Sequence, residues 1–181
     1  MIKNIPSMEE ITAKVLEIVT ESADRSEPIL PDAPLIAEQG LDSLDLIETS
    51  FSLQEFFDFE FSDKNAIEEL ENAVGDHSII AENGVITAHG REMLVKRMPE
   101  LAEVELPEDL TPMVLQKYFT PSTFARLTME FYEAAPQTWN GEAVEVRDFK
   151  VVTESGKAVK MPGGDTLIES WVAEMTPALK S

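Results

Sequence analysis

Apolar positions fall at helical spacing in several separate stretches. Ser7-Met8-Glu9-Glu10 has the form of a capping box, a serine with a glutamate three residues on, and Met8, Ile11, Val15 and Ile18 then recur on one face. This predicts a helix that fades near Ser22. Pro28, Pro31 and Pro34 interrupt any regular structure, which predicts a long loop whose Ile29, Leu30, Leu35 and Ile36 tuck against a core. A second helix is expected from Asp42–Ser43. On it Leu44, Ile47 and Phe51 form one apolar line and Leu46, Leu53 and Phe57 an adjacent one, together predicting a wide buried face. Asp45, Glu48 and Glu55 fall on the outside. Phe56, Phe57, Phe59 and Phe61 crowd the exit, Ser62-Asp63 reads as a new cap, and a short helix through 66–70 follows.

The pattern then changes. Two short apolar runs flank Asn83-Gly84 in residues 79–86, a small hairpin candidate. A helix from about Ala88 to Met98 stops at Pro99. Thr111-Pro112 and Thr120-Pro121 each pair a cap residue with proline at the first helical position, and the second opens a helix carrying Phe124, Leu127 and Phe131, ended by Pro136. In the tail, Val144, Val146, Val151 and Val152 lead through Glu154-Ser155-Gly156-Lys157 to Val159, which reads as a hairpin. After Pro162-Gly163-Gly164, Thr166 with Glu169 suggests a capping box opening a last short helix with Leu167, Ile168 and Trp171. Trp139 and Trp171 are expected in small satellite cores. No internal repeat or low-complexity stretch is present.

Composition narrows the possibilities. The chain has 181 residues and is 43% hydrophobic, enough for a core in one domain or one domain with an appendage. Its net charge is −21, which argues against nucleic acid, whose phosphates need Lys and Arg, and favours steering towards basic partners. The charge is uneven: residues 1–76 hold 19 acids and 4 bases, and residues 77–181 hold 16 acids and 10 bases. With no cysteine there is neither a disulfide framework nor a thiolate of the chain's own. No stretch reaches the ~18 apolar residues of a membrane span, and no signal peptide is visible, so a cytoplasmic protein is expected.

The chemistry centres on Gly40-Leu41-Asp42-Ser43-Leu44-Asp45. The tripeptide Asp-Ser-Leu taken alone is compatible with a plain helix cap. A serine hydrolase would need a histidine base held by a carboxylate. Leu41, not glycine, precedes Asp42, and the histidines His77 and His89 stand outside any Asp-x-x-His arrangement, so they are read as solvated surface residues. The wider context is more specific. Pro31-Asp32-Ala33-Pro34-Leu35-Ile36, then Glu38-Gln39-Gly40-Leu41-Asp42-Ser43-Leu44-Asp45-Leu46-Ile47-Glu48, then Glu55-Phe56-Phe57-Asp58-Phe59-Glu60-Phe61 resemble the acyl carrier protein family: a loop ending in Gly-x-Asp-Ser-Leu, a glutamate five residues beyond the serine, and an acidic-aromatic exit. Glu38-Gln39 stands where carriers often have Asp-Leu, and the chain is more than twice the usual length, as in enlarged carriers dedicated to unusual acyl chains.

The resemblance implies a mainly α fold, an antiparallel four-helix bundle spanning residues 1–135 with an insertion at about 71–110, small β-hairpins in the insertion and the tail, and a hairpin-helix extension over 136–181. It implies 4′-phosphopantetheine attached covalently to Ser43, with Asp42 and Leu44 beside it. Asp45, Glu48 and Glu55 are then the docking face for a phosphopantetheinyl transferase, for acyl-activating or acyl-transferring enzymes and for ketosynthase-type synthases with basic patches. Leu46, Ile47, Phe51 and Phe57, facing Ile11, Val15 and Phe124, are expected to line an acyl-chain pocket. Phe51 is bulky for that role and either shortens the pocket or leaves its shape to the insertion. Arg91, Lys96 and Arg97 form a small basic cluster that pairs either with the second helix or with a partner. The chain is expected to be a monomer with no catalytic residue and no metal, serving fatty-acid, polyketide or specialised lipid biosynthesis. A cofactor-free interaction module with the same bundle is the alternative.

Overall fold

A computed structural model describes residues 1–180. The elements follow in the order α1 (Met8–Ser22), α2 (Ser43–Phe57), α3 (Ala66–Val74), α4 (Ala88–Arg97), α5 (Pro112–Leu115), α6 (Pro121–Ala134), β1 (Thr138–Trp139), β2 (Glu142–Arg147), β3 (Lys150–Thr153) and α7 (Gly164–Lys180). The fold is mainly α with a small antiparallel sheet of order β1-β2-β3.

Local chemistry accounts for most helix starts. Ser7 and Glu10 form the expected capping box at α1, and Thr120 caps α6 with Pro121 at its first position. The cap of α3 is Asn65, not Ser62 or Asp63: its Oδ1 accepts from the amides of Ile67 (2.9 Å) and Glu68 (3.3 Å). Ser62 is engaged instead by the Lys64 amide and by Asp165 at the start of α7. The last helix is longer than expected. It begins at Gly164, whose amide donates to Glu60 O at 2.7 Å, and a Cβ there would meet Ser62 N at 2.5 Å. Glycine is required by this backbone-to-backbone approach.

Both expected hairpins differ in detail. Residues 79–86 form a single antiparallel bridge, Ile80 to Ile86, rather than two strands. In the tail the sheet turns at Asp148-Phe149, both with positive φ (48° and 68°), and the expected turn at 154–157 closes only a bridge between Val152 and Ala158. A two-residue turn matched to strand twist wins over the longer loop that the glycine at 156 suggests.

Two hydrophobic cores result. The first joins α1, α2 and α6 through Ile11, Val15, Leu53, Phe57, Phe124 and Phe131, and extends over Val144, Val146, Val151 and Val159 of the tail. Phe59 stacks on Phe131 (4.7 Å) and meets Tyr132 edge-on (5.2 Å). The Tyr132 hydroxyl donates to Phe149 O at 2.6 Å, and burial pushes this phenol's pKa up. The second core holds Ile67, Leu70, Ile79, Met93, Leu94, Leu101 and Leu110, with Trp171 and Val172 of α7 packed against it. The cores draw on distant segments: α3 packs with the inserted segment, the hairpin packs on the bundle, and α7 covers α3.

The buried face of α2 is narrower than its sequence predicts. Leu46, Thr49, Leu53 and Phe57 are buried, whereas Leu44, Ile47 and Phe51 are 62%, 52% and 68% exposed. In the preceding loop Ile29 and Leu35 are buried, but Leu30 is exposed. Among the described residues no helix is long and apolar enough to cross a membrane, and no cluster of three potential metal ligands occurs.

Candidate functional site

The loop before α2 is held rigidly at its base. Leu35 N donates to Phe119 O (2.9 Å) and Ala37 N to Lys117 O (3.0 Å). Gln39 stitches the loop from within: its Oε1 accepts from Leu30 N (2.7 Å), and its Nε2 donates to Leu30 O (2.9 Å) and Ala33 O (2.8 Å). Gln39 therefore anchors the loop through polar contacts. Gly40 has φ +77°, where a side chain would be strained and would press on the Arg25 guanidinium. Leu41 is buried and fixes the loop end.

Immediately after this anchor, Asp42 caps α2. Its Oδ1 accepts from Asp45 N at 2.8 Å, and its own amide donates to Asp45 Oδ2 at 3.0 Å. Asp45 is thus half of a reciprocal cap and is only partly exposed. The sequence does not announce that role, because Glu or Gln is the usual partner at that position. Ser43 is the first helical residue and is exposed, and its hydroxyl has no hydrogen-bond partner among the described residues. The amides of Ser43 and Leu44 belong to the first turn, where no carbonyl lies behind them to accept. An exposed hydroxyl with free amides at the positive end of a helix fits a phosphodiester. Asp42 and Asp45 spend one carboxylate oxygen each on the cap.

Beyond Ser43 the outer face of α2 carries exposed Leu44, Ile47 and Phe51 interleaved with exposed Glu48 and Glu55. Met113 of α5, 78% exposed, stands across a groove bordered by Leu46, Ile47, Phe51 and Phe119. At the far end of α2 the Lys150 ammonium donates to the carbonyls of Phe56 and Glu55, so the tail terminates this helix. The basic cluster of the insertion does not reach α2: Arg97 pairs with Glu130, and Arg91 donates to Pro107 O. His77 and His89 are both exposed.

Of the four residues named for an acyl-chain pocket, Leu46, Ile47 and Phe51 border the outer groove, and Phe57 does not. Phe57 is sealed in the first core, and Ile47 and Phe51 face outward. A second, partly open space lies between the two cores. A cavity of about 240 Å³ is bounded by Ser50 and Gln54 of α2, Ile67 of α3, Leu94 of α4 and Phe124 and Leu127 of α6, with α7 contributing Leu167 and Ile168. Ser50, Gln54 and Phe119 border both this cavity and the outer groove, so the two adjoin. Sequence reasoning missed Ser50 and Gln54; their spacing of four, small and polar beside an apolar stripe, is the only local signal.

A helical domain that offers an unengaged serine at a helix start, with an acidic helix beside it and a cavity next to that, is built to carry a prosthetic arm. Residues 10–73 match the family model described as phosphopantetheine attachment site. Acyl carrier proteins of Buchnera aphidicola subsp. Acyrthosiphon pisum, from strains Tuc7, 5A and APS, are each 40% identical over 60 residues, covering 33% of this chain and 75% of the relative. The chain belongs to the acyl carrier protein family, and the cofactor of that family is covalent 4′-phosphopantetheine. No solved structure matches the chain. The family match ends within α3, so everything from α4 onward lies outside it.

Proposed function

We propose that this protein tethers acyl groups on a phosphopantetheine arm at Ser43 and presents them to the enzymes of a fatty-acid, polyketide or specialised lipid pathway. The arm supplies the thiol that a chain without cysteine lacks, and so allows thioester chemistry. The observation that carries this reading is the exposed, unpartnered Ser43 hydroxyl at the first position of α2. Asp42 sets the start of the helix, and the amides of Ser43 and Leu44 receive the phosphate charge.

Docking falls to the outer face of α2. Glu48 and Glu55, with the exposed edge of Asp45, supply the charge that basic patches on a transferase, an acyl-transferring enzyme or a synthase would recognise. Leu44, Ile47 and Phe51 supply a modest apolar contact. Such a surface raises encounter rates while leaving affinity low, as a shuttle between enzymes requires. On this reading catalysis belongs to the partners, the chain acts as a monomer, and its setting is cytoplasmic.

Co-expression with a phosphopantetheinyl transferase followed by intact mass spectrometry tests the proposal. The expected result is a gain of one phosphopantetheine, abolished in Ser43→Ala while the fold is retained. An unchanged mass in the native chain with every transferase tried would favour a cofactor-free interaction module.

A further inference from the structure

The cavity between the two cores is mostly apolar, yet two guanidinium groups border it, Arg97 of α4 and Arg126 of α6. Arg97 is only 8% exposed. One of its nitrogens, Nη1, donates to Glu130 Oε1, and its guanidinium lies 6.0 Å from the Trp171 ring centre. Arg126 uses Nε on Glu100 (2.9 and 3.2 Å) and Nη1 on Glu130 (3.1 Å). Each guanidinium offers five N–H donors. Nε and Nη2 of Arg97 and Nη2 of Arg126 have no acceptor among the described residues, and none of the three is fully enclosed. Both side chains are mostly buried and both border the cavity, which brings an occupant of the cavity close to these guanidinium groups.

A chain entering the cavity would displace the water open to these donors, so an occupant that brings its own acceptor is favoured over one that leaves them unmet. The sign of that occupant follows from the local charges. The two arginines are paired with Glu100 and Glu130, Asp63 and Lys64 add one charge of each sign to the cavity border, and Glu130 Oε2 is already buried without a partner. A further carboxylate would add another negative charge beside an unmet carboxylate oxygen. A neutral oxygen would accept from the guanidinium groups without that repulsion.

The route is short. Ser50 and Gln54, which border the cavity, lie seven and eleven residues beyond Ser43, about 10 and 16 Å along the helix axis at 1.5 Å per residue. An apolar cavity of ~150 Å³ admits benzene, so about 240 Å³ accommodates a chain of moderate length.

The geometry points to a cargo that carries a neutral oxygen acceptor, keto or hydroxyl, on the part of the acyl chain remote from the thioester, held there by Arg97 and Arg126. This rests on Ser43 bearing the acylated arm.

The test loads the full-length protein through a phosphopantetheinyl transferase with coenzyme A thioesters of four cargoes: octanoyl, octanoyl with a keto group on the carbon before the last, octanoyl with a hydroxyl there, and octanedioyl. Intact mass confirms each load, and the rate of thioester cleavage by hydroxylamine reports how well the chain is sequestered. The keto or hydroxyl cargo is expected to be cleaved about tenfold more slowly than plain octanoyl, the worth of one hydrogen bond to a charged donor. In Arg97→Met that advantage should disappear while plain octanoyl is cleaved at its former rate. If Arg97→Met fails to fold by circular dichroism, the comparison among cargoes on the native chain decides. Equal protection of plain and oxygenated cargoes would overturn the inference and leave the carrier reading standing. Best protection of octanedioyl would overturn the neutral-acceptor assignment. Failure of any cargo to load on Ser43 would overturn the carrier reading and this inference together.

Discussion

Helix α2 offers a direct experiment on which of its apolar residues hold the fold. Leu53 is completely buried in the first core, whereas Phe51, two residues earlier and larger, is 68% exposed. By residue type alone Phe51→Ala should be the more damaging change, since Phe→Ala in a core costs about 3–5 kcal/mol. The structure reverses that order. Leu53→Ala removes three buried carbons and leaves a cavity, costing about 2–5 kcal/mol. Phe51→Ala removes a ring mostly in solvent and should fall within about 0.5 kcal/mol of the native chain. For a chain of this size 1 kcal/mol moves the thermal midpoint by about 2–4 °C, so the two variants should separate by on the order of 10 °C. Urea titration followed by far-ultraviolet circular dichroism gives the same contrast as a shift in midpoint at constant slope. Modification of Ser43 by a transferase should run the other way, slowed in Phe51→Ala and normal in Leu53→Ala at a temperature where that variant is folded. A loss of more than about 2 kcal/mol in Phe51→Ala would refute the reasoning, because it would mean that the ring packs inside and that the outer face of α2 is not a docking surface.

Other outcomes follow from the same contacts. Asp42→Ala should cost about 1 kcal/mol in urea unfolding and slow modification of Ser43, while Asp42→Asn, which still accepts from Asp45 N, should keep most of the stability. Glu48→Lys combined with Glu55→Lys should slow modification in low salt and approach the native rate near 1 M salt, where screening is nearly complete; a rate ratio independent of salt would exclude electrostatic docking. Asp45 is left out of that variant because its replacement would also break the cap. Glu71 accepts from the amides of His77 (3.1 Å), Ile79 (3.1 Å) and Ile80 (2.8 Å), so Glu71→Ala should destabilise the chain by on the order of 3 kcal/mol, with early amide exchange in residues 77–80.

The candidate site at the start of α2 was legible because its causes are local. Gly40, Leu41, Asp42 and Ser43 act within one turn of chain: a residue at positive φ, an apolar anchor, a cap, and the first exposed helical position. The second core was not legible in the same way. Ile67 and Leu70 have ordinary helical periodicity, and nothing in it says that they meet Trp171 and Val172, about a hundred residues later, rather than Leu53. Nothing local to Gln39 marks its role, and only the folded loop shows it satisfying three backbone groups. Arg97 looked like part of a surface basic cluster and is a buried neighbour of Glu130 and Trp171.

What the sequence determined by itself was the set of helices, most of their caps, the acidic character of the first half and the exposed serine at the start of α2, since each depends on residues within a few positions of one another. What only the tertiary structure decided was which apolar line of α2 faces inward, where the cavity lies, and which charged side chains border it. Helical periodicity marks a stripe as apolar but not what covers it. Among the described residues nothing covers Leu44, Ile47 and Phe51 fully, because the inserted helices and α7 pack on α3 instead and leave that face of α2 open.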